Sequence, residues 1–519
     1  MCGIAFSAAG RSEVEAMLDV MRHRGPDGRG VTVLSDGGFT GDGEGPSLGH
    51  VRLWVRGDPD AEQPIVGDGR AVAVNGEVYN YREIVGEDVP SDSWAVFESV
   101  RDVSTAKGAL RVLMGEYSFV TVFEDGTVVA GRDPVGVRPL YYSMEGGVLR
   151  IASEKKALWR VGAREVRRLP PGSVLVAGDE GVDVTGVVRI PRPEPGSHGV
   201  EELEDALRDA VARRVEETER VGVVLSGGVD STTVTVLASE YVDVQAYSAG
   251  FPGSEDVDFA ERVAREIGVE FEAVDLSEDF PRFVVATVYA VESCNPMKVE
   301  VGIPVLACAE AMGRDGLKVM LSGQGADELL GGYHRYTRLY DDPVALMFEL
   351  WRDVASIHEV NLERDDKAGM FGGSVELRVP FLDMDVVRVG MGIHPYDNLA
   401  SADDRLRKRA LRKVAERVGV PRFVVERRKV ATQYGSMTSK ELDRLARSVG
   451  VKKGVARELG YRSHKELFLR LVGKRLGFPW EAPDPEEVER VASKMGMEAS
   501  LVEFLEEYVD PFAREVAGR

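Results

Sequence analysis

Three groups of residues in this chain have types and spacings that can do chemistry. Cys2 follows Met1, so removal of Met1 would leave one residue carrying both a thiol and a free α-amine. Such an amine titrates near pH ~7.7 to 8 and can take the thiol proton directly or through one water, which makes a self-contained nucleophile and base. The second group is the run SGGVDS at 226–231. Gly227 and Gly228 let backbone N–H groups approach oxyanions closely, Ser226 and Ser231 add hydroxyl donors, and Asp230 can hold Mg2+ against phosphates. The third is LSGQGADE at 321–328, a second Ser-Gly turn made by Ser322 and Gly323. Its Asp327 and Glu328 add carboxylates able to share that Mg2+ and neutralise a pyrophosphate leaving group.

Each group needs an element to position it. The apolar run 221–225 reads as a buried strand, the glycine turn follows, and Ser231 opens a segment with helix-length apolar content. A strand feeding a glycine-rich loop and a helix N-terminus is a phosphate cradle. Alternation continues with strands at 244–251 and 270–276, a helix at 259–268 and an apolar run at 317–333. That order predicts an α/β domain with a mostly parallel sheet covered on both faces. Ligands on such sheets collect at the carboxyl ends of strands, so Leu225, Ser248 and Gly250 are expected beside adenine and ribose. Earlier in the chain the pattern changes: AVAVNGEVY, SFVTVFEDGTVVAGRD, LYYSMEGGVLRIAS and SVLVAG are short β-rich runs broken by Gly and Asp-Gly turns, which read as antiparallel strands. The Pro- and Gly-rich stretch RIPRPEPGSHG separates the two patterns. The reading is therefore a first domain at 1–186, a linker at 187–200, a second domain at 201–445, and a tail of polar-faced helices at 446–519 that caps the second domain or meets another subunit.

Bulk properties narrow the partners. The chain has 519 residues and a formal net charge of −22, which argues against a nucleic-acid partner. No apolar run reaches the roughly 18 residues of a membrane span, and MCGIAF lacks the basic region and apolar core of a secretory signal, so neither a membrane nor export is expected. Three cysteines do not make a disulfide framework, and a reducing cytoplasm is the simplest home.

Two resemblances extend this reading. RHRGPDGRG at 22–30, LGHVRLW at 48–54, EQPIV at 62–66, NGEVYNY at 75–81 and GRDPVGVRPLYY at 131–142 resemble, in order and spacing, the glutaminase domain of class II glutamine amidotransferases. The resemblance implies a four-layer αββα fold of the N-terminal-nucleophile type, in which Cys2 attacks the amide of glutamine. Charge then builds on the carbonyl oxygen and needs fixed donors; the Asn75 side chain and the Gly76 N–H match the family's oxyanion hole. Arg52 matches the fork that binds the α-carboxylate of glutamine, and Glu77 and Asp92 match the acceptors of its α-ammonium.

The loop SGGVDS is not followed by Gly-Lys-Ser/Thr and resembles instead the SGGxDS loop of ATP pyrophosphatases. With PGSEDVDFAERVA, CNPM at 294–297, SGQGADELLGGY, VELRVPFLD at 375–383, RKRALRKV at 407–414 and RRKVATQYGS at 427–436, it resembles the synthetase domain of glutamine-hydrolysing asparagine synthetases. The likeness runs from residue 1 to about residue 440. It implies adenylation of the aspartate side-chain carboxylate by ATP, with β-aspartyl-AMP attacked by ammonia arriving through an internal tunnel and AMP and pyrophosphate released. Lys429 matches the family's lysine at the α-phosphate, whereas Arg427 and Arg428 read as surface charges. Dimerisation through the first domain is what the family suggests.

One position departs from the pattern. Bacterial members usually carry SGEGADE, and this chain has Gln324 in place of the glutamate. An amide can accept a hydrogen bond but cannot take a proton from ammonia as a carboxylate can. Either another carboxylate, such as Glu328 or Glu300, is the acceptor, or the same two-site mechanism serves a different carboxylic acid.

Overall fold

The computed structural model describes residues 2–178, 181–428 and 432–518. Among these, the first domain holds two antiparallel sheets. One has seven strands, with Gly3–Ser7 paired on one side to Ser47–Arg52 and on the other to Val148–Ala152. The other has six, with Arg70–Val78 paired along its whole length to Gly115–Phe123. Alternation along these strands sorts side chains to opposite faces. Ile4, Phe6, Ala71, Ala73, Val120 and Val122 share one core between the two sheets. On the outer face of the first sheet, Ala5 and Val51 meet Val14, Met17 and Leu18 of the helix Arg11–Val20. On the outer face of the second, Val72, Val74 and Phe119 meet Ala106, Ala109 and Leu110 of the helix Val103–Val112. Helix, sheet, sheet and helix therefore stack in four layers, as the resemblance implied.

The second domain is built on five parallel strands in the order Glu270–Asp275, Asp243–Gly250, Arg220–Val224, Val319–Leu321 and Glu376–Arg378. From Arg220–Val224 the chain first builds outward on one side and then crosses to the other, so the order reverses between that strand and Val319–Leu321. Crevices at such a reversal are where parallel sheets bind ligands. SGGVDS leaves the first of these two strands and SGQGADE leaves the second, which brings the two loops together. The helix after SGGVDS is Val229–Ala238, two residues earlier than its apolar pattern implied, because Gly228 takes the position before its first turn.

Tail and second domain form one core. Leu467, Phe468, Leu471 and Val472 of the helix His464–Arg475 are buried in the same cluster as Val284, Val288 and Ile303. Each such side chain fully removed from water contributes about 1.5 to 3 kcal/mol. The polar face read from the sequence covers one side of these helices only.

The domains meet across buried charge. Arg24 and Arg138 of the first domain reach Asp366 of the helix Glu363–Gly373, at 3.0 and 3.5 Å, and all three side chains are fully buried. Glu116 accepts from Arg138 Nη2 at 3.1 Å and from Arg214 Nε at 2.8 Å. Arg24, in the run RHRGPDGRG, is thereby a staple between the two domains.

Candidate active sites

Cys2 sits at the head of the strand Gly3–Ser7, buried. Its backbone N–H donates to Asn75 Oδ1 at 3.1 Å, and its carbonyl accepts from Arg24 Nε at 3.0 Å. Burial pushes the thiol above its ordinary range, and a backbone hydrogen bond with Leu53 opposes that rise. Asn75 is fully buried within Arg70–Val78, and its Nδ2 has no hydrogen-bond partner among the described residues. A buried amide donor costs free energy when unpaired, and sites tolerate one where a ligand will complete it. With Oδ1 held by Cys2, Nδ2 is the donor left to meet an oxyanion formed at the thiol. Gly76 has φ +123°, and a Cβ there would lie 1.9 Å from the carbonyl oxygen of Glu116, so no other residue fits the turn of backbone beside Asn75.

Glu77 and Asp92 come together, as their assignment to one ammonium requires. Asp92 Oδ2 accepts from the Val78 N–H at 2.7 Å, and burial raises its pKa. Glu77 is pushed up to about 7, chiefly by burial, with Arg56 opposing and Glu376 adding to the rise. Arg56 Nε lies 2.6 Å from Glu77 Oε2, and Arg378 from the second domain lies 3.6 Å from Oε1. These two arginines and Glu376 were not found from the sequence, since the second-domain pair is some 300 residues away. Arg52 donates from Nη1 to the Pro59 carbonyl at 2.5 Å and from Nη2 to the Asp58 carbonyl at 2.6 Å. Its fork is thus held by the loop after Leu53, and a carboxylate would have to exchange with those carbonyls.

In the second domain, one cavity at the strand reversal is lined by Ser226, Gly228, Asp230 and Ser231 from the first loop and by Ser322, Gly323, Gln324 and Asp327 from the second. The loops touch at Gly323, where a Cβ would be 2.8 Å from the Ser231 nitrogen. Gly227 has φ +66° and turns the first loop against Phe259. Leu225, Ser248 and Gly250 are at the strand ends, as read, but outside the cavity lining. Glu328 is also behind the wall: its Oε1 accepts from Tyr333 Oη at 2.6 Å and Asn361 Nδ2 at 2.9 Å, and burial raises its pKa. Glu300 pairs with Lys465 and does not line the cavity.

Lys408 is the residue that the sequence reading missed. Its Nζ lies 2.6 Å from both oxygens of Asp230 and 2.8 Å from Asp327 Oδ1, joining the two loops through an ammonium that is almost fully buried. Burial lowers its pKa although both carboxylates oppose that. The signal was present in RKRALRKV, where Lys408 precedes the helix Arg409–Arg417, but nothing local distinguishes it from its basic neighbours. Arg427 corrects the surface reading: it donates to the Ser226 carbonyl at 2.9 Å and to Asp256 Oδ1 at 3.0 Å, and its guanidinium carbon stacks 3.8 Å from the Phe259 ring centre. Arg428 is exposed at the cavity mouth. Lys429 lies outside the described residues.

Asp230 and Asp327 fit Mg2+ by donor type. That ion takes hard oxygen ligands and is commonly held by one or two carboxylates together with substrate phosphates. Among the described residues, no cluster of three or more His, Cys, Asp or Glu forms an all-protein metal cage. No helix among them is long and apolar enough to cross a membrane.

A buried thiol at Cys2 beside an amide whose Nδ2 has no partner among the described residues, in a chain where two Ser-Gly loops also meet at one cavity of a parallel sheet, fits a glutamine-hydrolysing ligase that uses ATP, and comparison with known proteins gives the family. Residues 1–169 match the family model of the glutamine amidotransferase domain, and residues 202–345 and 340–501 match that of asparagine synthase. The chain belongs to the asparagine synthase family. It is 32% identical to a Methanocaldococcus jannaschii protein that carries the name asparagine synthetase, glutamine-hydrolysing, 1, across 87% of this chain and 97% of that one. It is 28% identical to the glutamine-hydrolysing asparagine synthetase B of Escherichia coli K12, across 78% of this chain and 76% of that one. A glutamine-hydrolysing asparagine synthetase of Arabidopsis thaliana is likewise 28% identical, across 83% of this chain.

Proposed function

We propose that this enzyme makes asparagine: aspartate, glutamine and ATP give asparagine, glutamate, AMP and pyrophosphate. The observation that carries the reading is the convergence of SGGVDS and SGQGADE on one cavity closed by Lys408, in a chain whose other site is built around Cys2.

At the first site Met1 is removed and the freed amine of Cys2 takes the thiol proton. The thiolate attacks the glutamine amide carbon, and Asn75 Nδ2 with the Gly76 N–H receives the charge on oxygen. Glu77 and Asp92 hold the substrate ammonium, and Arg52 its carboxylate. The Cys2 amine passes that thiol proton to the amide nitrogen, which leaves as ammonia as the thioester forms, and water then releases glutamate.

At the second site the backbone N–H groups of the two loops and the hydroxyls of Ser226, Ser231 and Ser322 hold the ATP phosphates. Asp230 and Asp327 are the residues that would hold Mg2+, which supplies positive charge against the departing pyrophosphate. Lys408 keeps those two carboxylates at one spacing. The aspartate side-chain carboxylate displaces pyrophosphate from the α-phosphate, with Lys429 stabilising the charge, and ammonia displaces AMP from the β-aspartyl-AMP formed. Ammonia crosses between sites inside the protein.

Gln324 favours a second reading, the same two steps on another carboxylic acid. Pyrophosphate release from purified protein with ATP, Mg2+ and ammonium, comparing aspartate with a panel of acids, decides between them. Release with aspartate and asparagine formed is expected; release with a different acid and none with aspartate would keep the mechanism and overturn the substrate.

A further inference from the structure

The carboxylate that Gln324 lacks stands beside it. Gln324 Nε2 donates to Asp365 Oδ2 at 2.7 Å, and Asn361 Nδ2 donates to Gln324 Oε1 at 3.3 Å. Asp365 is the third residue of the helix Glu363–Gly373, is 2% exposed, and lines the cavity with Gln324. Arg364 grips it as a fork, Nε to Oδ1 at 2.6 Å and Nη2 to Oδ2 at 2.9 Å, which fixes the plane of the carboxylate.

The other acids of that cavity are paired with cations of the phosphate site, whereas Asp365 is paired with its own neighbour Arg364. Among the described residues its lining holds Asp230, Asp256, Asp327 and Asp365, and no glutamate. Asp230 and Asp327 share Lys408, and Asp256 pairs with Arg427. Asp365 is thus the cavity carboxylate that stands against the second loop, at Gln324. The next residue on the same helix, Asp366, reaches Arg24 at 3.0 Å, and Arg24 holds the Cys2 carbonyl. The helix that carries Asp365 is therefore tied, through Asp366 and Arg24, to the strand that begins beside Cys2.

Charge explains the amide at 324. A glutamate in the same geometry would put two carboxylate oxygens 2.7 Å apart, a like-charge contact that disfavours ionisation of both. Glutamine turns that contact into a hydrogen bond and leaves a single carboxylate at the site.

We propose that Asp365, positioned by Gln324 and Arg364, is the catalytic carboxylate that binds the incoming ammonia and takes its proton in the amidation step. The ammonia nitrogen bonds to the activated carboxyl carbon, and the bond from that carbon to the AMP oxygen breaks with its electron pair on AMP. One proton of the former ammonia passes to Asp365 and from there to solvent. The inference rests on the amidation proposed above, whichever acid is the acceptor.

The test separates partial reactions. D365N should lower amide formation by about 10²-fold or more, with glutamine or with ammonium, the usual worth of a positioned proton acceptor. Acid-dependent exchange of labelled pyrophosphate into ATP and glutamine hydrolysis should stay near wild type, which also shows that the variant is folded. The exchanged pair Q324E/D365N returns one carboxylate and one amide to the same contact and should recover much of the amide formation; a merely structural role for Asp365 predicts no such rescue. Wild-type amide formation by D365N overturns the inference, as does a double variant that exchanges pyrophosphate but makes no more amide than D365N. Absence of pyrophosphate exchange with every acid in the wild type would instead overturn the proposed ligase reaction.

Discussion

Replacing Asn75 with alanine separates the two chemistries of this chain. Asn75 is fully buried, its Oδ1 is occupied by the Cys2 N–H at 3.1 Å, and its Nδ2 has no partner among the described residues. Alanine removes one hydrogen bond that exists in the resting enzyme and one donor that is needed only when the glutamine carbonyl becomes an oxyanion. The first loss costs about 1 kcal/mol of stability. The second costs about 2.7 to 4 kcal/mol of transition-state stabilisation, a fall of roughly 10²- to 10³-fold in kcat. Glutamate release from glutamine is the direct assay, and pyrophosphate release with ammonium is its internal control. The variant should lose glutaminase kcat with little change in KM, because the donor acts in the transition state, and should keep ammonia-dependent synthesis. A variant with wild-type glutaminase kcat would refute the assignment of Nδ2 to the oxyanion, and equal losses in both assays would show that Asn75 serves only the fold.

Other perturbations follow from the same geometry. Lys408→Met removes the cation between Asp230 and Asp327, so acid-dependent pyrophosphate exchange should fall by about 10²-fold while glutaminase is kept; unchanged exchange would contradict the role given to Lys408. Asp366→Asn removes the carboxylate that Arg24 and Arg138 share while leaving Glu154 to the first and Glu116 to the second, and should cost about 1 to 3 kcal/mol of stability, read as an earlier denaturant midpoint. A wild-type midpoint would mean that the interface does not depend on this network. Glu77, raised from 4.5 to about 7 by burial, binds its proton in the folded state over a range where the unfolded chain has lost it, so its contribution to stability falls as pH rises from 4.5 through 7. For catalysis the sign is opposite: the carboxylate that holds the substrate ammonium forms as pH rises, so glutaminase kcat/KM should climb through about pH 7, and E77Q should flatten that limb.

What the chain declares of itself is local. SGGVDS, SGQGADE and NGE are contiguous, and their backbone geometry follows from glycines that only a turn or close approach requires, as at Gly76 and Gly323. The antiparallel strands were legible as short β-rich runs and their four-layer stacking only through the resemblance; the continuous apolar run 71–74 is explained by two cores, with Ala71 and Ala73 facing one and Val72 and Val74 the other. Contacts between distant segments were not legible. Lys408 lies 178 residues from Asp230, and Asp365 lies 41 from Gln324; each sits among ordinary charged residues, and only the packing of its helix selects it. Arg427 looked like a surface residue because it stands in ERRK, yet Phe259 and Asp256 provide it with a face and a counter-charge. Buried ion pairs of this kind leave no periodicity in a sequence, whereas apolar faces do.

Oxygen transfer from aspartate tests the central reaction most directly. With aspartate labelled by oxygen-18 in its side-chain carboxylate, activation as an acyl-adenylate followed by ammonia attack predicts one labelled oxygen in AMP for each asparagine formed. Unlabelled AMP, or ADP and phosphate in place of AMP and pyrophosphate, would contradict it.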